Sequence, residues 1–503
     1  MNLIIAILLL PFFTAAFSAL MPKVGTARRG LVALSAWLQL AVALALVELT
    51  RGGERLVLPL GGWPGRFGIV LAVDLFSAIM VTLAAVCSVA ILHYGFFETP
   101  RREEHPLRLP LLQFLVVGTQ LAFITGDLFN LFVAFEILLI ASYGLMTLES
   151  SGAEIRHAFP YFAINLIGGL LFFCAAGLTY GLLGTLNFAG IAERAGAMTG
   201  DARFSGLAVL LLCVFGMKAG LFPLYFWLPK SYPIVPTPVA AFFSGMLTKV
   251  GVYAVLRLLT TVLPHEMGWL HTALAWVAGA TMLFGVAGAI AQNTIRGILS
   301  YHILSQIGYI VLAIGLFTPF SIAAAIFYLA HHIIVKTSLF LIGGVANRLE
   351  ATDELDAMGG LWKQAPFLGV LFLFQAFSLA GIPPLSGFWG KLLILIATVQ
   401  TREYLLLAIA LLAGLLTLFS MLKIWNGAFW KERPAPLPPP PSGNRPNLPR
   451  MIAVIAGLTL ISLSIGLGAE WFYQLARQAA ETALDQPGYV RDIARALPPP
   501  PLP

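Results

Sequence analysis

The feature that most constrains this chain is a succession of apolar segments, each about twenty residues long and separated by short loops. A helix needs about 20 such residues to cross a hydrocarbon core of about 30 Å. The sequence therefore predicts an all-α membrane protein with about fourteen transmembrane helices and both termini on one side. The predicted spans are 2–21, 31–49, 69–95, 109–126, 129–148, 160–186, 205–228, 236–260, 269–291, 297–317, 321–346, 366–398, 403–427 and 451–472.

Composition excludes the usual soluble classes. Apolar residues make up 59% of the chain and charged residues 11%, with a mean hydropathy of +0.88, and so little charge cannot cover a soluble surface of this size. The three cysteines lie inside apolar runs and share no metal or disulfide spacing. No GxxxxGK[ST] phosphate loop and no dinucleotide fingerprint is present. We therefore expect no metal, no cofactor, no nucleic-acid partner and no enzymatic site.

Lysine and arginine are unevenly divided between the two sets of loops. Most of those outside the spans lie in loops that follow odd-numbered spans, such as Arg28, Arg29, Arg101 and Arg102. Positive charge accumulates on the cytoplasmic side of a membrane protein. The bias places the odd-numbered loops in the cytoplasm and both termini outside. Residues 1–19 lack a positive n-region, so we expect this segment to remain as the first span.

Charged residues occur inside the predicted spans, where each is costly and normally faces a protein interior or a wet cavity. They are Glu136, Lys218, Lys249, Lys336 and Lys391. One buried lysine could be structural, but four lysines and a mid-span glutamate are difficult to explain in that way. The set indicates a chain of titratable groups suited to moving protons or cations.

Glu136 and Lys218 have opposite charge and lie in spans two apart. Pairing would lower the cost of burying each of them. A static salt bridge and a mobile pair that releases a proton when it opens both fit the sequence.

Three histidines accompany the lysines of the second half. His332 and Lys336 are four residues apart and share a helix face, and His331 precedes them. Such histidines either pack within the core or carry protons between neighbours. His302, in a polar segment with Ser305 and Gln306, is compatible with inter-helix hydrogen bonding and with a relay role.

A short motif occurs twice. The sequence AGLFPL at 219–224 is echoed by AGIPPL at 380–385, and each copy is followed by an aromatic pair and a lysine, Lys230 or Lys391. Paired Gly/Pro interruptions in apolar spans are typical of repeats with broken helices. We expect breaks in spans seven and twelve, at the prolines Pro223, Pro383 and Pro384.

Two segments near the C-terminus differ from the rest. Residues 431–450 are rich in proline and predict a stiff linker, with an SH3-type ligand as the less favoured interpretation. Residues 470–495 alternate apolar and polar positions as an amphipathic helix does, which suggests a tail along the outer surface.

Five motifs carry a resemblance to a known family. They are TGDLFNLFVAFEILLIASYGLM, the stretch from MKAGLFPLYFWLPK to GMLTKVGVYAVLR, LSYHILSQIGYI, HHIIVKTSLFLIGG and FSLAGIPPLSGFWGK. These resemble the antiporter-like family of respiratory complex I and the Mrp-type cation/proton antiporters over roughly residues 70–425. Within that family, TGDLFNLF and FFSGMLTKVGVYA are most similar to the D-type subunits of Mrp systems.

The resemblance implies an architecture. Spans four to eight and nine to thirteen would form two inverted five-helix repeats, broken in spans seven and twelve. The implied division is 1–108 for helices one to three, 109–262 and 263–430 for the repeats, 431–450 for the linker, and 451–503 for helix fourteen and the tail.

The resemblance also implies roles for residues. Glu136 and Lys218 resemble the family's glutamate–lysine pair, and Lys249 resembles its connecting lysine. Lys336 with His331 and His332 resembles the central relay, and Lys391 the exit lysine. The M-type subunit of complex I carries a glutamate where this chain has Lys391, which counts against that assignment.

By this resemblance the chain is expected to be a transporter subunit of the bacterial inner membrane, exchanging Na⁺ for protons with A-, B-, C-, E-, F- and G-type partner subunits in the lipid bilayer. Two alternatives remain. One is a proton-pumping subunit of a complex I-like NADH:quinone oxidoreductase or a membrane-bound hydrogenase. The other is a structural module in which the buried charges form fixed bridges.

Overall fold

A computed structural model describes residues 2–21, 25–62, 68–148, 152–434 and 447–497. Within them, 12 helices are long and apolar enough to cross a membrane by length and composition. They confirm a mainly helical membrane protein, whereas the count of fourteen crossings stays a prediction. These helices span Asn2–Leu20, Thr26–Thr50, Leu75–Glu98, Leu128–Thr147, Ile155–Leu183, Ala202–Ala219, Thr237–Val262, Gly268–Ala291, Ile295–Leu316, Pro319–Glu350, Tyr404–Trp430 and Leu448–Leu467.

We number the helices and strands along the chain. The first half comprises α1 (Asn2–Leu20), α2 (Thr26–Thr50), β1 (Leu56–Pro59), β2 (Val70–Val73), α3 (Leu75–Glu98), α4 (Arg108–Ile124), α5 (Leu128–Thr147), α6 (Gly152–Leu183), α7 (Phe188–Ala195), α8 (Ala202–Ala219), α9 (Leu228–Ser231), α10 (Thr237–Phe242) and α11 (Thr248–Arg257). The second half comprises α12 (Gly268–Ala291), α13 (Ile295–Leu316), α14 (Pro319–Glu350), α15 (Leu361–Gln364), α16 (Pro366–Ala380), α17 (Ser386–Gln400), α18 (Tyr404–Ile424), α19 (Leu448–Leu467), α20 (Ala469–Leu484) and α21 (Gln486–Ala496).

A small β-hairpin, which the sequence analysis did not predict, accompanies the helices. Strand β1 pairs antiparallel with β2, with Leu56 opposite Val73 and Pro59 opposite Val70. The third span was expected to begin at residue 69, but its helix begins only at Leu75. The Asp74 carboxylate accepts a hydrogen bond from the Ser77 N–H and so caps α3. The apolar residues of β2 therefore lie before the helix, and they pair with β1.

Three spans form the enclosed centre of the molecule. In an apolar 18-residue window of each span, the share of buried residues is 100% for Thr237–Val262, 94% for α13 and for α14, and 33% for α1 and for α2. Two of the four intramembrane lysines lie on these central spans. Their helices are therefore surrounded by protein instead of lipid.

Span eight is not a regular α-helix. A π-helical turn, Phe243–Leu247, joins α10 to α11, and a second one, Leu258–Val262, follows α11. A Cβ on Gly245 would collide with the Thr337 hydroxyl of α14, so this glycine permits a very close approach of the two helices. π-Turns inside helices occur frequently at functional sites.

Both expected helix breaks are present at the predicted residues. Helix α8 ends at Ala219, and Gly220 follows with φ of 78°; helix α16 ends at Ala380, and Gly381 follows with φ of 96°. Glycine tolerates this left-handed conformation better than other residues. Helical structure resumes at Leu228 and Ser386. The inverted relation of the two repeats stays a prediction.

The amphipathic tail forms two helices, α20 and α21, joined at Asp485. Helix α20 packs on α14 and α3, and α21 packs on α7 and β1. The Arg55 guanidinium holds the tail, lying 3.2 Å from the Asp485 carboxylate and 2.9 Å from that of Asp492. The central part of the proline-rich linker, 435–446, lies outside the described residues, so its interpretation stays untested.

Candidate ion-translocation site

The Lys218 ammonium group lies at the end of α8, just before the first break. Its side chain is buried, and its Nζ donates a hydrogen bond of 3.1 Å to the Asn165 carbonyl of α6. The Nζ also lies 5.8 Å from the centre of the Phe135 ring of α5. A carbonyl and an aromatic face both favour a cation.

Glu136 lies near Lys218, but the charged atoms of the two side chains are not in direct contact. A Cβ on Gly168 would come 3.6 Å from the Lys218 Nζ, and one on Gly169 would come 2.7 Å from the Glu136 Oε1. Consecutive glycines of α6 therefore make room for both side chains. Among the described residues Glu136 and Lys218 form no ion pair within 4.0 Å, and the Glu136 Oε1 has no hydrogen-bond partner. The direct salt bridge that was one of the two expectations is not formed.

Lys249 is fully buried in the first turn of α11, directly after the π-helical turn Phe243–Leu247. Its Nζ donates a hydrogen bond to the Ser244 carbonyl in that turn. The backbone of α11 also touches the end of α8, because a Cβ on Gly251 would come 2.5 Å from the Ala219 nitrogen. This close approach places Lys249 near the helix end that carries Lys218.

His332 and Lys336 lie one turn apart on α14, and both are fully buried. The Lys336 Nζ donates a hydrogen bond of 2.6 Å to the Leu299 carbonyl of α13. The His332 ring is parallel to that of Tyr328, with 6.4 Å between centres. Within the described part of the chain, neither ring nitrogen of His332 has a hydrogen-bond partner. A buried imidazole in this state has both nitrogens free to exchange protons with a mobile donor.

His331 connects α14 to the second break. Its Nδ1 lies 2.8 Å from the Ser386 hydroxyl, at the first residue of α17. That hydroxyl also lies 3.0 Å from Ser378 of α16 and 3.2 Å from Ser462 of α19. A hydroxyl both donates and accepts, so this cluster can pass a proton between its members.

Lys391 follows the second break and reaches back across it. Its Nζ donates a hydrogen bond of 3.1 Å to the carbonyl of Ala380, the last residue of α16, and lies 4.8 Å from the centre of the Tyr309 ring. Lys230, which the repeated motif aligned with Lys391, is exposed. The motif therefore marks both breaks, but the buried lysine of the first break is Lys218.

His302 joins α13 to α18. Its Nε2 lies 2.5 Å from the Ser420 hydroxyl, and the Gln306 amide donates to the Thr417 hydroxyl at 3.3 Å. This is the inter-helix hydrogen bonding that one of its two interpretations required. The relay interpretation stays a prediction.

Sequence reasoning missed two tyrosines that link the second-half residues. The Tyr328 ring lies 5.1 Å from that of His331 and 5.8 Å from that of Tyr309, which in turn covers Lys391. Tyr328 precedes His331 by three residues and so lies on the same helix face, which is a signal that the sequence offered. Together these side chains form a continuous buried row from Lys391 to His332.

The described residues contain no group of three or more His, Cys, Asp or Glu side chains placed to hold a metal ion. The site is therefore one of lysines, histidines, hydroxyls and one glutamate. Such groups bind and release protons.

Comparisons with known proteins assign the family. Residues 125–417 match the model of the family described as NADH:quinone oxidoreductase/Mrp antiporter, TM. The D-type subunit of the Na(+)/H(+) antiporter of Alkalihalophilus pseudofirmus is 41% identical over 497 residues, which cover 98% of this chain and 99% of that protein. This chain belongs to the NADH:quinone oxidoreductase/Mrp antiporter family. All the candidate translocation residues lie within the matched region.

Solved structures of two family complexes have the same fold. A chain of the Mrp complex from Dietzia sp. is 31% identical with a TM-score of 0.87, and the match covers 98% of this chain and 100% of that one. A chain of an archaeal membrane-bound sulfane sulfur reductase is 25% identical with a TM-score of 0.90 over the same shares. The fold therefore occurs in an Mrp complex and in an archaeal respiratory membrane complex.

Proposed function

We propose that this chain is a D-type subunit of a multisubunit monovalent cation (Na⁺)/proton antiporter, in which it provides a translocation path driven by the proton-motive force. The observation that carries the proposal is the set of four buried lysines: Lys218 and Lys391 at the two helix breaks, and Lys249 and Lys336 on the enclosed spans. Charged groups at membrane depth are costly and are associated with ion paths. The 41% identity to a D-type antiporter subunit supports the choice of function within the family.

In this proposal, protons pass along the lysines in chain order. When Glu136 lies close to Lys218, the carboxylate would stabilise the charged ammonium; when the two separate, the lysine would release its proton. Lys249 would receive it, Lys336 and the two histidines would relay it, and Lys391 would pass it to the exit. His302 would assist the relay. The broken-helix prolines Pro223, Pro383 and Pro384 would keep backbone carbonyls available to the path.

Partner subunits are part of this proposal. The lipid-side face of α6 exposes large apolar side chains, such as Phe159 at 68% and Leu166 at 62%. We propose that A-, B-, C-, E-, F- and G-type subunits assemble with this chain, and that Na⁺ entry involves them. The chain alone should then show no antiport. Robust Na⁺-dependent proton exchange by the purified single chain would contradict this.

The proposed location is the bacterial inner membrane, with odd-numbered loops in the cytoplasm, both termini outside, and the two repeats at 109–262 and 263–430. The charge bias of the loops supports this orientation. Reporter fusions that are active only outside the cytoplasm, placed at each terminus and after Arg101, test it. Activity at the termini and none at Arg101 is the expected pattern.

A second candidate is a proton-pumping subunit of a redox complex. The TM-score of 0.90 to a chain of the sulfane sulfur reductase favours it. Its identity of 25%, against 41% for the antiporter subunit, counts against it. Neighbouring genes for iron–sulfur and quinone-binding subunits would support this candidate, and genes for six further antiporter subunits would support the first.

The deciding experiment is fluorescence-dequenching antiport in everted membrane vesicles from an antiporter-deficient host that expresses the whole operon. We expect Na⁺ to dissipate the proton gradient. Lys391→Ala should remove this response, whereas Lys230→Ala, which changes an exposed lysine after the other break, should retain it. Equal responses of the two variants would contradict the proposed path.

A further inference from the structure

A cavity opens where one end of α2 meets α3 and α19, and none of the four buried lysines lines it. It has a volume of about 1000 Å³ and is lined by Arg101, Arg102, Arg450, Glu103 and Phe97, among others. Arg29 also reaches it, but its guanidinium is already paired with Glu104 at 2.7 Å. The cavity therefore presents free arginines at one end of a helix bundle.

The charge of this cavity is not balanced by the protein. Arg101, Arg102 and Arg450 are exposed, and within the described residues none of them has a carboxylate within 4.0 Å. The Arg101 guanidinium donates to the Thr26 hydroxyl at 2.6 Å, and that of Arg450 lies 5.6 Å from the centre of the Phe97 ring. One acidic residue, Glu103, lies among the three arginines. The cavity thus has an excess of positive charge, which suits a phosphate-bearing group.

A second cavity continues the first one along the helices. It has a volume of about 660 Å³, shares Phe97 and Arg450 with the first, and is otherwise lined almost entirely by apolar side chains. Its lining includes Trp37, Val89, His93, Val454, Gly457 and Ile461. A Cβ on Gly457 would meet nothing within 4 Å, so the groove is open at this position.

The length of the groove matches one leaflet of a bilayer. From Arg450 to Ile461 a helix rises about 16 Å, since each residue adds about 1.5 Å. Half of a hydrocarbon core of about 30 Å is about 15 Å. A basic rim followed by an apolar groove of one leaflet's depth fits a charged headgroup with acyl chains below it. A peptide helix would not require the unbalanced arginines.

We infer that α2, α3 and α19 form a binding site for an anionic glycerophospholipid. The phosphate lies between Arg101, Arg102 and Arg450, and an acyl chain lies along Trp37, Gly457 and Ile461. Basic pockets between transmembrane helices bind anionic lipid headgroups in this manner. The site does not depend on the proposed transport function.

The test uses Trp37, which is 52% exposed in the groove. The intact purified complex is reconstituted in phosphatidylcholine vesicles, and dibrominated phosphatidylglycerol or dibrominated phosphatidylcholine is titrated in. The quenching that Trp37 contributes is the difference between the complex and its Trp37→Phe variant. We expect this part to saturate at about a tenfold lower fraction of phosphatidylglycerol than of phosphatidylcholine, because of the excess positive charge.

Two variants separate the parts of the site. The first variant removes the charge of the basic rim with three substitutions, Arg101→Gln, Arg102→Gln and Arg450→Gln. It should make the two brominated lipids equivalent as quenchers. The charge-matched control, Arg51→Gln with Arg477→Gln and Arg491→Gln, should keep the preference for phosphatidylglycerol. Gly457→Leu should lower the lipid retained per complex in native mass spectrometry. Gly177→Leu is the matched control and should not lower the retained lipid. A Cβ at this exposed glycine also meets nothing within 4 Å, but the residue lies outside the groove.

Two results would overturn the inference. Equal quenching of Trp37 by the two lipids in the unmodified complex would show ordinary bilayer contact without a site. Absence of quenching by either lipid would show that another protein chain of the complex covers the groove.

Discussion

The two broken helices hold their lysines in opposite ways. At the first break, Lys218 precedes the interruption and donates to a neighbouring helix, at the Asn165 carbonyl. At the second, Lys391 follows the interruption and donates to the Ala380 carbonyl, at the end of the broken helix itself. The Ala380 carbonyl lies at a helix C-terminus, where the helix dipole favours a cation.

Among the described residues, a carboxylate lies beside the lysine of the first break but not beside that of the second. Glu136 and Lys218 flank Gly168 and Gly169, whereas Lys391 has the Tyr309 ring instead. The charge of Lys218 can thus be changed by a small movement of an acidic side chain. The charged state of Lys391 instead depends on whether its ammonium stays bonded to the Ala380 carbonyl at the break. In the proposed path, we therefore expect the first break to act as the switch and the second to hold and release the proton.

The largest effect should come from the carboxylate–lysine pair. We expect Glu136→Ala and Lys218→Ala each to reduce antiport in everted vesicles to the level of vesicles without the operon, because the switch needs both charges. Assembly of the complex should be retained. Lys230→Ala is the matched control, since it removes an exposed lysine near the same break.

The charge swap Glu136→Lys with Lys218→Glu distinguishes a directional switch, in which the pair opens and releases a proton, from a brace, in which the two charges only stabilise the fold. A brace requires only opposite charges and should tolerate the exchange. A directional switch should not, because the glutamate would then occupy the position of the mobile proton. The side chains form no ion pair in this structure, which favours the switch. Full recovery of antiport in the swapped protein would refute it.

A smaller effect should distinguish the two glycines that end the helices. Gly381→Ala and Gly220→Ala both place a Cβ at positive φ, a strain of about 1–2 kcal/mol. The Cβ at 381 would come 3.0 Å from the Lys391 Cδ, but that at 220 would come 3.1 Å from a Leu304 methyl group. We expect similar losses of thermal stability and a several-fold larger loss of antiport rate for Gly381→Ala. Equal rates would show that the break does not position Lys391.

A still smaller effect is expected at the hydroxyl cluster. Ser386→Ala removes the group that His331 contacts at 2.8 Å but keeps the helix start. Antiport should fall by a few-fold, since other hydroxyls remain within the cluster. Ser464→Ala, on the exposed face of α19, is the control and should leave the rate unchanged. A rate at the control level for Ser386→Ala would exclude the cluster from the path.

The sequence was sufficient to predict the charged groups and the breaks. A lysine such as Lys249 within an apolar run is expected to face the protein interior or a wet cavity, and Gly381, two residues before Pro383 and Pro384, is expected to interrupt a helix. The β-hairpin was missed because the residues of β2 are as apolar as the span that follows them, so they were assigned to that span. The repeated motif alone did not show that Lys391 is buried whereas Lys230 is exposed, because a local motif does not tell which side of a break faces the protein.

The tyrosines of the second half were missed for another reason. Tyr309 and Tyr328 lie in strongly apolar helices, where the sequence predicts only a packing role for an aromatic residue. Their importance depends on contacts between α13, α14 and α17 that are distant in sequence. Only the tertiary structure brings them to Lys391 and His331.

The smallest effect concerns the residues that begin α5 and α13, one in each half. Asp127 caps α5 by accepting the Asn130 N–H at 2.8 Å, and Thr294 caps α13 by accepting the Gly297 N–H at 3.0 Å. Asp127 pairs as an isolated bridge with Asn187, and Thr294 with Glu354. Of these two caps, Asp127 is titratable and Thr294 is not.

Burial raises the pKa of Asp127, which lies in the connection before α5, from 3.8 to about 6, although backbone hydrogen bonds oppose this change. Since the folded protein holds this proton more tightly than the unfolded chain, its contribution to stability is fully present below about pH 4. It is lost as the pH rises to about 6, by no more than about 3 kcal/mol. Asp127→Asn keeps the acceptor oxygen and has no charge. The thermal midpoint of the variant complex in detergent should therefore fall less between pH 4.5 and 7 than that of the unmodified complex, and Thr294→Asp should steepen the fall. A slope unchanged by Asp127→Asn would show that the two caps are equivalent.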